Sequence, residues 1–247
     1  MISIACVSDS GYLRYAKAMF KSFNYKHQKL QKHMLYVGNK QEYVNEAINM
    51  HYDGTQLSDV KDIIKDTNTE DNEYKQYFTN STFLSEKNCY CNNQRFKFIS
   101  NLLEANTRNL IFTDADMLCN RNVDFLKAIS YKRDICLQPY FEDKKYYRTN
   151  FCYINNTPAT RDFFKMVSVG IEKDFGLLKW GHTKYFTELI KQSNLKVLDL
   201  PENFIDTNYS ADSYIWSGES FRKDKNMVNL STKNFNYINK YESYYES

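Results

Sequence analysis

Two aspartates separated by one residue, Asp114-Ala-Asp116, directly follow a short apolar run, Leu110-Ile-Phe-Thr113. Such a run reads as a strand buried on both faces of a parallel sheet. Ligands of open α/β sheets bind beyond the carboxyl ends of such strands. On extended chain, residues two apart point the same way, so both carboxylates could reach one hard divalent cation. Two like charges this close would repel unless a cation lay between them. Mg²⁺ or Mn²⁺ takes one or two protein carboxylates and completes its shell with phosphate oxygens and water. The competing explanation is a strand-end turn whose aspartates cap the next element, since D-x-D alone is common.

No other phosphate device is present. The seven glycines, at positions 11, 38, 54, 170, 176, 181 and 218, never fall into G-x-G-x-x-G or G-x-x-x-x-G-K. A phosphorylated ligand would have to be held by a metal and side chains. Charge is nearly balanced, 33 basic against 30 acidic residues for a formal +3, which argues against a nucleic-acid partner. Apolar residues make up 42 % of the 247, enough for the core of one α/β domain. The longest apolar runs are strand-sized, so no membrane span is expected. Met1–Val7 lacks the basic and long apolar regions of a signal peptide. Six cysteines form neither C-x-x-C nor a zinc spacing, and most lie in apolar segments. That suggests buried thiols in a reducing compartment, hence a cytoplasmic protein. Cys89-x-Cys91 reads as structural.

The elements that must position the acid pair follow from periodicity. Met1–Val7 alternates and is β-branched, a first strand, and Ser8-Asp-Ser-Gly11 is turn chemistry. Leu13, Ala16, Phe20 and Phe23 recur at helical spacing. His33–Val37 is a second strand, and Glu42–Met50 fits a short helix. Asp53–Asn88 is polar and reads as a loop-rich or short-helical insertion. Phe96, Ile99 and Leu102/Leu103 mark a helix. Asp134–Gln138, Phe151–Ile154 and Leu195–Leu200 read as strands, Arg161–Ile171 and Lys184–Lys191 as helices. Strands alternating with helices imply an α/β domain with a mostly parallel sheet. The Tyr- and Asn-rich tail, Asn234–Ser247, gives no clear element.

Several segments, taken in order, resemble a known family. They are Ser8-Asp-x-x-Tyr12 after the first strand, Asn93-Asn-Gln-Arg-Phe96, Asn109-Leu-Ile-Phe-Thr-Asp-Ala-Asp-Met117, Thr149-Asn-Phe-Cys-Tyr-Ile-Asn155 and Ile215-Trp-Ser-Gly-Glu-Ser-Phe-Arg-Lys223. The order is similar to nucleotide-sugar glycosyltransferases of the GT-A fold, nearest the glycogenin-like and galactosyltransferase-like group. The resemblance implies a single Rossmann-like GT-A domain over residues 1–225, with a nucleotide-binding half to about 120, an acceptor half beyond, and a tail at 226–247. It also implies transfer of a sugar from a nucleoside-diphosphate donor, UDP-sugar favoured, to a glycan or glycoprotein acceptor, assisted by Mn²⁺ or Mg²⁺.

Carried over by position, the resemblance gives Asp114 to the ribose or metal and Asp116 to the metal. Ser8, Asp9 and Tyr12 would hold the nucleotide, Tyr12 by stacking on the base. Arg95 would approach the donor sugar or diphosphate, and Asn150 the donor sugar. Trp216 and Gly218 belong to the late loop and would contact the sugar, with Lys223 or Arg222 as the loop's cation. This chain departs from the family pattern in three places. The metal-ligating His position of that loop is Ile215, a family glycine is Cys152, and the acidic pair after the late Trp is replaced by Trp180-Gly-His-Thr183. His182 there could be a base, a sugar contact or a structural side chain. Each residue also has a plainer role: a packing tyrosine at 12, a surface ion pair at Arg95, a solvated charge run around Lys223. Alternatives to the active enzyme are an inactive nucleotide-sugar-binding relative and a sugar-1-phosphate nucleotidyltransferase. A haloacid-dehalogenase-type phosphatase would carry its D-x-D on the first strand.

Overall fold

A computed structural model describes residues 2–26, 30–38, 47–54, 57, 86–105, 108–140, 146–174, 181–218 and 232–245. A seven-stranded sheet forms the centre, in the order β3-β2-β1-β4-β7-β6-β8. Its strands are β1 (Ile2–Asp9), β2 (Gln31–Val37), β3 (Ile48–Tyr52), β4 (Asn109–Thr113), β6 (Ile135–Tyr140), β7 (Tyr146–Ile154) and β8 (Val197–Asp199). A second sheet, β5-β10-β9, joins β5 (Met117–Cys119), β10 (Ile215–Ser217) and β9 (Ile205–Asp206). The described helices are α1 (Leu13–Lys26), α2 (Glu86–Ala105), α3 (Phe125–Ile129), α4 (Pro158–Asp174), α5 (Gly181–Gln192) and α6 (Thr232–Tyr245).

Period-2 alternation along buried strands divides the core into two layers. Ile4, Cys6, Ile111 and Phe151 face α1 with Met19, Phe20 and Phe23. Ala5, Leu110, Phe112 and Cys152 face α2, α4 and α5 with Phe96, Ile99, Phe164 and Phe186. The sheet is thus covered on both sides, which is why β4 carries apolar residues at consecutive positions. None of the described helices is long and apolar enough to cross a membrane.

The sheet is mostly parallel, as expected, with one reversal beside the acid pair. β1 runs parallel to β2 and β4, but β7 is antiparallel to both β4 and β6. β4 is therefore central without being parallel on both sides. Two assignments change. Ile48–Met50, read as the end of a helix, is part of edge strand β3, pairing with His33–Val37 of β2; its neighbours 39–46 lie outside the described residues. The tail from which no element was read forms α6. Its tyrosines 237, 241 and 244 recur at i, i+4 and i+7, a helical stripe that packs with Ala18, Leu118 and Trp216. Most of the expected insertion, Asp53–Asn88, lies outside the described residues.

Candidate functional site

The acid pair sits where β4 ends. Asp114 extends the ladder by one bond, its N–H donating to the Asn150 carbonyl at 2.8 Å. The chain then turns at Ala115-Asp116, with the Met117 N–H returning to the Asp114 carbonyl at 3.3 Å. The pair thus spans a turn instead of continuing along extended chain, and the two carboxylates occupy different settings. The Asp114 side chain is 31 % exposed, whereas Asp116 is 2 % exposed.

Arg95 fixes the first of them. From the middle of α2 its Nη1 lies 3.1 Å from Asp114 Oδ1 and donates to the Thr149 carbonyl at 2.9 Å. Its Nε and Nη2 donate to the carbonyl and side-chain Oδ1 of Asn92, at 2.9 and 2.7 Å. The guanidinium also lies over the Phe112 ring, 5.8 Å from its centroid. A planar fork held by four acceptors has little freedom, so Arg95 orients Asp114. The surface ion pair considered for Arg95 is excluded by its burial. Asn150, next to Thr149 on β7, is also buried, and its Oδ1 accepts no hydrogen bond among the described residues.

The second acid is held through its backbone. The Asp116 carbonyl accepts from the Gly218 N–H at 3.1 Å and from the Tyr237 hydroxyl at 2.5 Å. β10 runs antiparallel to β5, Ser217 opposite Met117, and this carries Gly218 to the acid turn. The approach is close. A Cβ at Gly218 would lie 2.6 Å from the Tyr237 hydroxyl oxygen and 3.0 Å from both the carbonyl oxygen and Oδ2 of Asp116. Tyr237 was not anticipated as a site residue; the tyrosine stripe of the tail was the signal that could have found it.

Ser8, Asp9 and Tyr12, expected at the nucleotide, make local contacts. Ser8 is buried and donates to the Asp9 carbonyl at 3.1 Å. Asp9 Oδ1 accepts the Tyr12 N–H at 3.0 Å, closing the turn that starts α1. Tyr12 is half-buried, its ring 5.9 Å from Tyr15, which in turn meets Tyr241 of α6 at 5.0 Å. Trp216, expected at the sugar, is buried. Its indole N–H donates to the Ser210 carbonyl and Ser213 hydroxyl, both at 2.9 Å, and the Lys240 ammonium lies 4.3 Å from its ring centroid. Ile215 is fully buried, and among the described residues no group of three His, Cys, Asp or Glu side chains could hold a metal. Lys223 and Arg222 lie outside the described residues. His182 is the second residue of α5, and its side chain lies outside them too.

Thiols next to the acid turn stay protonated. Burial raises the Cys6 thiol far above its ordinary value, and the Asp114 charge adds to this. Burial pushes Cys152 up to about 12, with Arg95 pulling the other way. None of the six cysteines forms a disulfide.

The overall path of the chain matches glycosyltransferases. The glycosyltransferase GlyE of Streptococcus pneumoniae TIGR4 superposes with a TM-score of 0.60 at 12 % identity, covering 100 % of this chain and 63 % of that one. Its apo form gives 0.58 at 12 %, over 99 % and 62 %. The fold is GT-A-like. At this identity the likeness speaks to fold alone, and this chain spans under two thirds of GlyE's length. The galactosyltransferase LgtC, in complex with donor and acceptor sugar analogues, is more distant at a TM-score of 0.48, 14 % identity, 85 % of this chain and 77 % of that one. No protein-family model matches the sequence, and no curated protein matches it.

Proposed function

We propose that this chain is a glycosyltransferase that moves a sugar from a nucleoside-diphosphate donor, UDP-sugar favoured, to a hydroxyl of a glycan or glycoprotein. The observation that carries the reading is the acid turn at the carboxyl end of β4, with Asp114 oriented by Arg95, in a GT-A-like fold. In the transfer, an acceptor hydroxyl oxygen bonds to the anomeric carbon as the bond to the donor diphosphate breaks, through an oxocarbenium-like state. The hydroxyl proton passes to water or to the departing diphosphate, on which the negative charge collects.

Each residue then has a task. Hard carboxylate oxygens suit Mn²⁺ or Mg²⁺, which accept one or two protein carboxylates and otherwise take phosphate and water oxygens. Asp114 and Asp116 would hold that ion, which would offset the charge developing on the leaving diphosphate. Arg95 keeps Asp114 from swinging away. The Gly218 N–H and the Tyr237 hydroxyl keep the Asp116 backbone from shifting. Asn150 offers an unmet acceptor beside Asp114 that a donor-sugar hydroxyl would satisfy. Lys223 would supply a further cation to the diphosphate.

A binding-only protein is the second reading, favoured by the lack of a third ligating side chain among the described residues. Donor turnover separates the two. We expect Mn²⁺-dependent release of UDP from a UDP-sugar, stopped by EDTA and restored by Mn²⁺. Stabilisation by UDP with Mn²⁺ but no turnover of any donor would leave the binding-only reading.

A further inference from the structure

The opposite end of β4 carries a second feature. Where β4, β6 and β8 begin and β7 ends, a hollow of about 480 Å³ opens on the surface. Lys127, Lys132, Arg133 and Lys196 line it. All four are exposed, and among the described residues none of them forms an ion pair. The single carboxylate in the wall, Asp134, is already engaged. Its Oδ1 accepts the Thr157 hydroxyl at 3.2 Å and its Oδ2 the Lys196 N–H at 2.8 Å. Four cations and one acid give the hollow the same excess of three charges as the whole chain, so the remaining residues balance to zero.

The wall is also firm. Lys132 takes the left-handed conformation, φ 62°, that turns the chain after α3. The side-chain amide of Asn155, just past the end of β7, clamps that turn by donating to the carbonyls of Ser130 at 2.9 Å and Arg133 at 2.8 Å. Cations gathered on a fixed surface repel one another until an anion joins them. Arg offers a planar fork and Lys a compact point charge, a combination suited to phosphate oxygens.

We propose that this hollow is a binding site for a phosphate-bearing anion with several charges, separate from the acid turn and independent of the glycosyl-transfer reading. The test is calorimetry of the full chain with inorganic tripolyphosphate, in EDTA and about 0.15 M salt, where long-range attraction is largely screened. Saturable binding should weaken about tenfold or more in a Lys127→Gln/Lys132→Gln/Arg133→Gln/Lys196→Gln variant, as several exposed charge pairs are lost together. Asp116→Ala should bind like the parent. If the fourfold variant fails to fold, Lys132→Gln/Lys196→Gln removes a charge from two different segments of the wall, and a partial loss is expected. Absence of binding, binding unchanged by these substitutions, or binding lost only in Asp116→Ala would overturn the proposal. A second arm uses vesicles containing phosphatidylserine. Sedimentation with vesicles through the same four residues, without tripolyphosphate binding, would overturn it too, by assigning the patch to a lipid surface. Tripolyphosphate binding without vesicle capture supports the soluble ligand.

Discussion

The two ends of β4 hold charge in opposite ways. At its carboxyl end Asp116 is buried and Asp114 partly so; Arg95 and a β7 carbonyl meet around one, a Gly N–H and a Tyr hydroxyl at the backbone of the other. At its amino end four cations stand in solvent with no ion-pair partner among the described residues. Buried charge persists only when it is paired and hydrogen-bonded, so the acid end is costly to disturb. Exposed charge is nearly free to place or remove. The acid end is built for geometry, and the basic end for attraction.

That contrast sets a scale of effects. The largest is expected for Asp116→Ala. If the metal-held diphosphate contributes about 4 kcal/mol to the transition state, donor turnover falls about a thousandfold. The circular dichroism spectrum should stay that of the folded chain; near-parental Mn²⁺-dependent turnover would remove Asp116 from the mechanism. Next comes Arg95→Met, which removes the ion pair with Asp114 and the hydrogen bond to the Thr149 carbonyl. A loss of about 3 kcal/mol in urea unfolding is expected, and a loss under about 0.5 kcal/mol, typical of exposed residues, would make Arg95 equivalent to the lysines of the other end. Tyr237→Phe keeps the ring and deletes one hydrogen bond, so about 1 kcal/mol is expected. Its diagnostic is a rise in the Mn²⁺ concentration giving half-maximal turnover, an effect that lost packing elsewhere in α6 would not produce.

The remaining effect is absent at neutral pH and appears only in alkali. Burial raises Cys136 and Cys152 from 9.0 to about 12. Between those values the unfolded chain loses thiol protons that the folded chain keeps, so stability should fall as pH rises from about 9 to about 12. Thermal melts across that window check the sign, and Cys136→Ala should flatten the slope. A slope unchanged by that substitution would show that Cys136 does not contribute to it.

How much of this was legible depends on range. β4 and its acid pair could be read from Leu110–Asp116 because an apolar run ending in two aspartates is a local pattern. The direction of β7 could not, because Phe151–Ile154 has the same composition whichever way it runs; its antiparallel pairing with β4 is settled by the packing of the whole sheet. Arg95 stands out in the sequence, but its contact with Asp114 does not. Burial against Thr149, 54 residues away, turns a helix-surface arginine into a fixed support for Asp114. Asp9 lies within a local pattern, and its Oδ1 accepts the Tyr12 N–H of the turn that Ser8-Asp-Ser-Gly11 implies. α6 was missed because Tyr and Asn are modest helix formers, although Tyr237, Tyr241 and Tyr244 lie one helical turn apart.

The bond between the Tyr237 hydroxyl and the Asp116 carbonyl joins residues 121 apart in sequence. During synthesis β4 and its two acids leave the ribosome long before that partner exists. A nascent chain can therefore own every carboxylate of the site and still lack the clasp that steadies it, so competence should arrive late and abruptly, when the stretch through residue 237 has emerged.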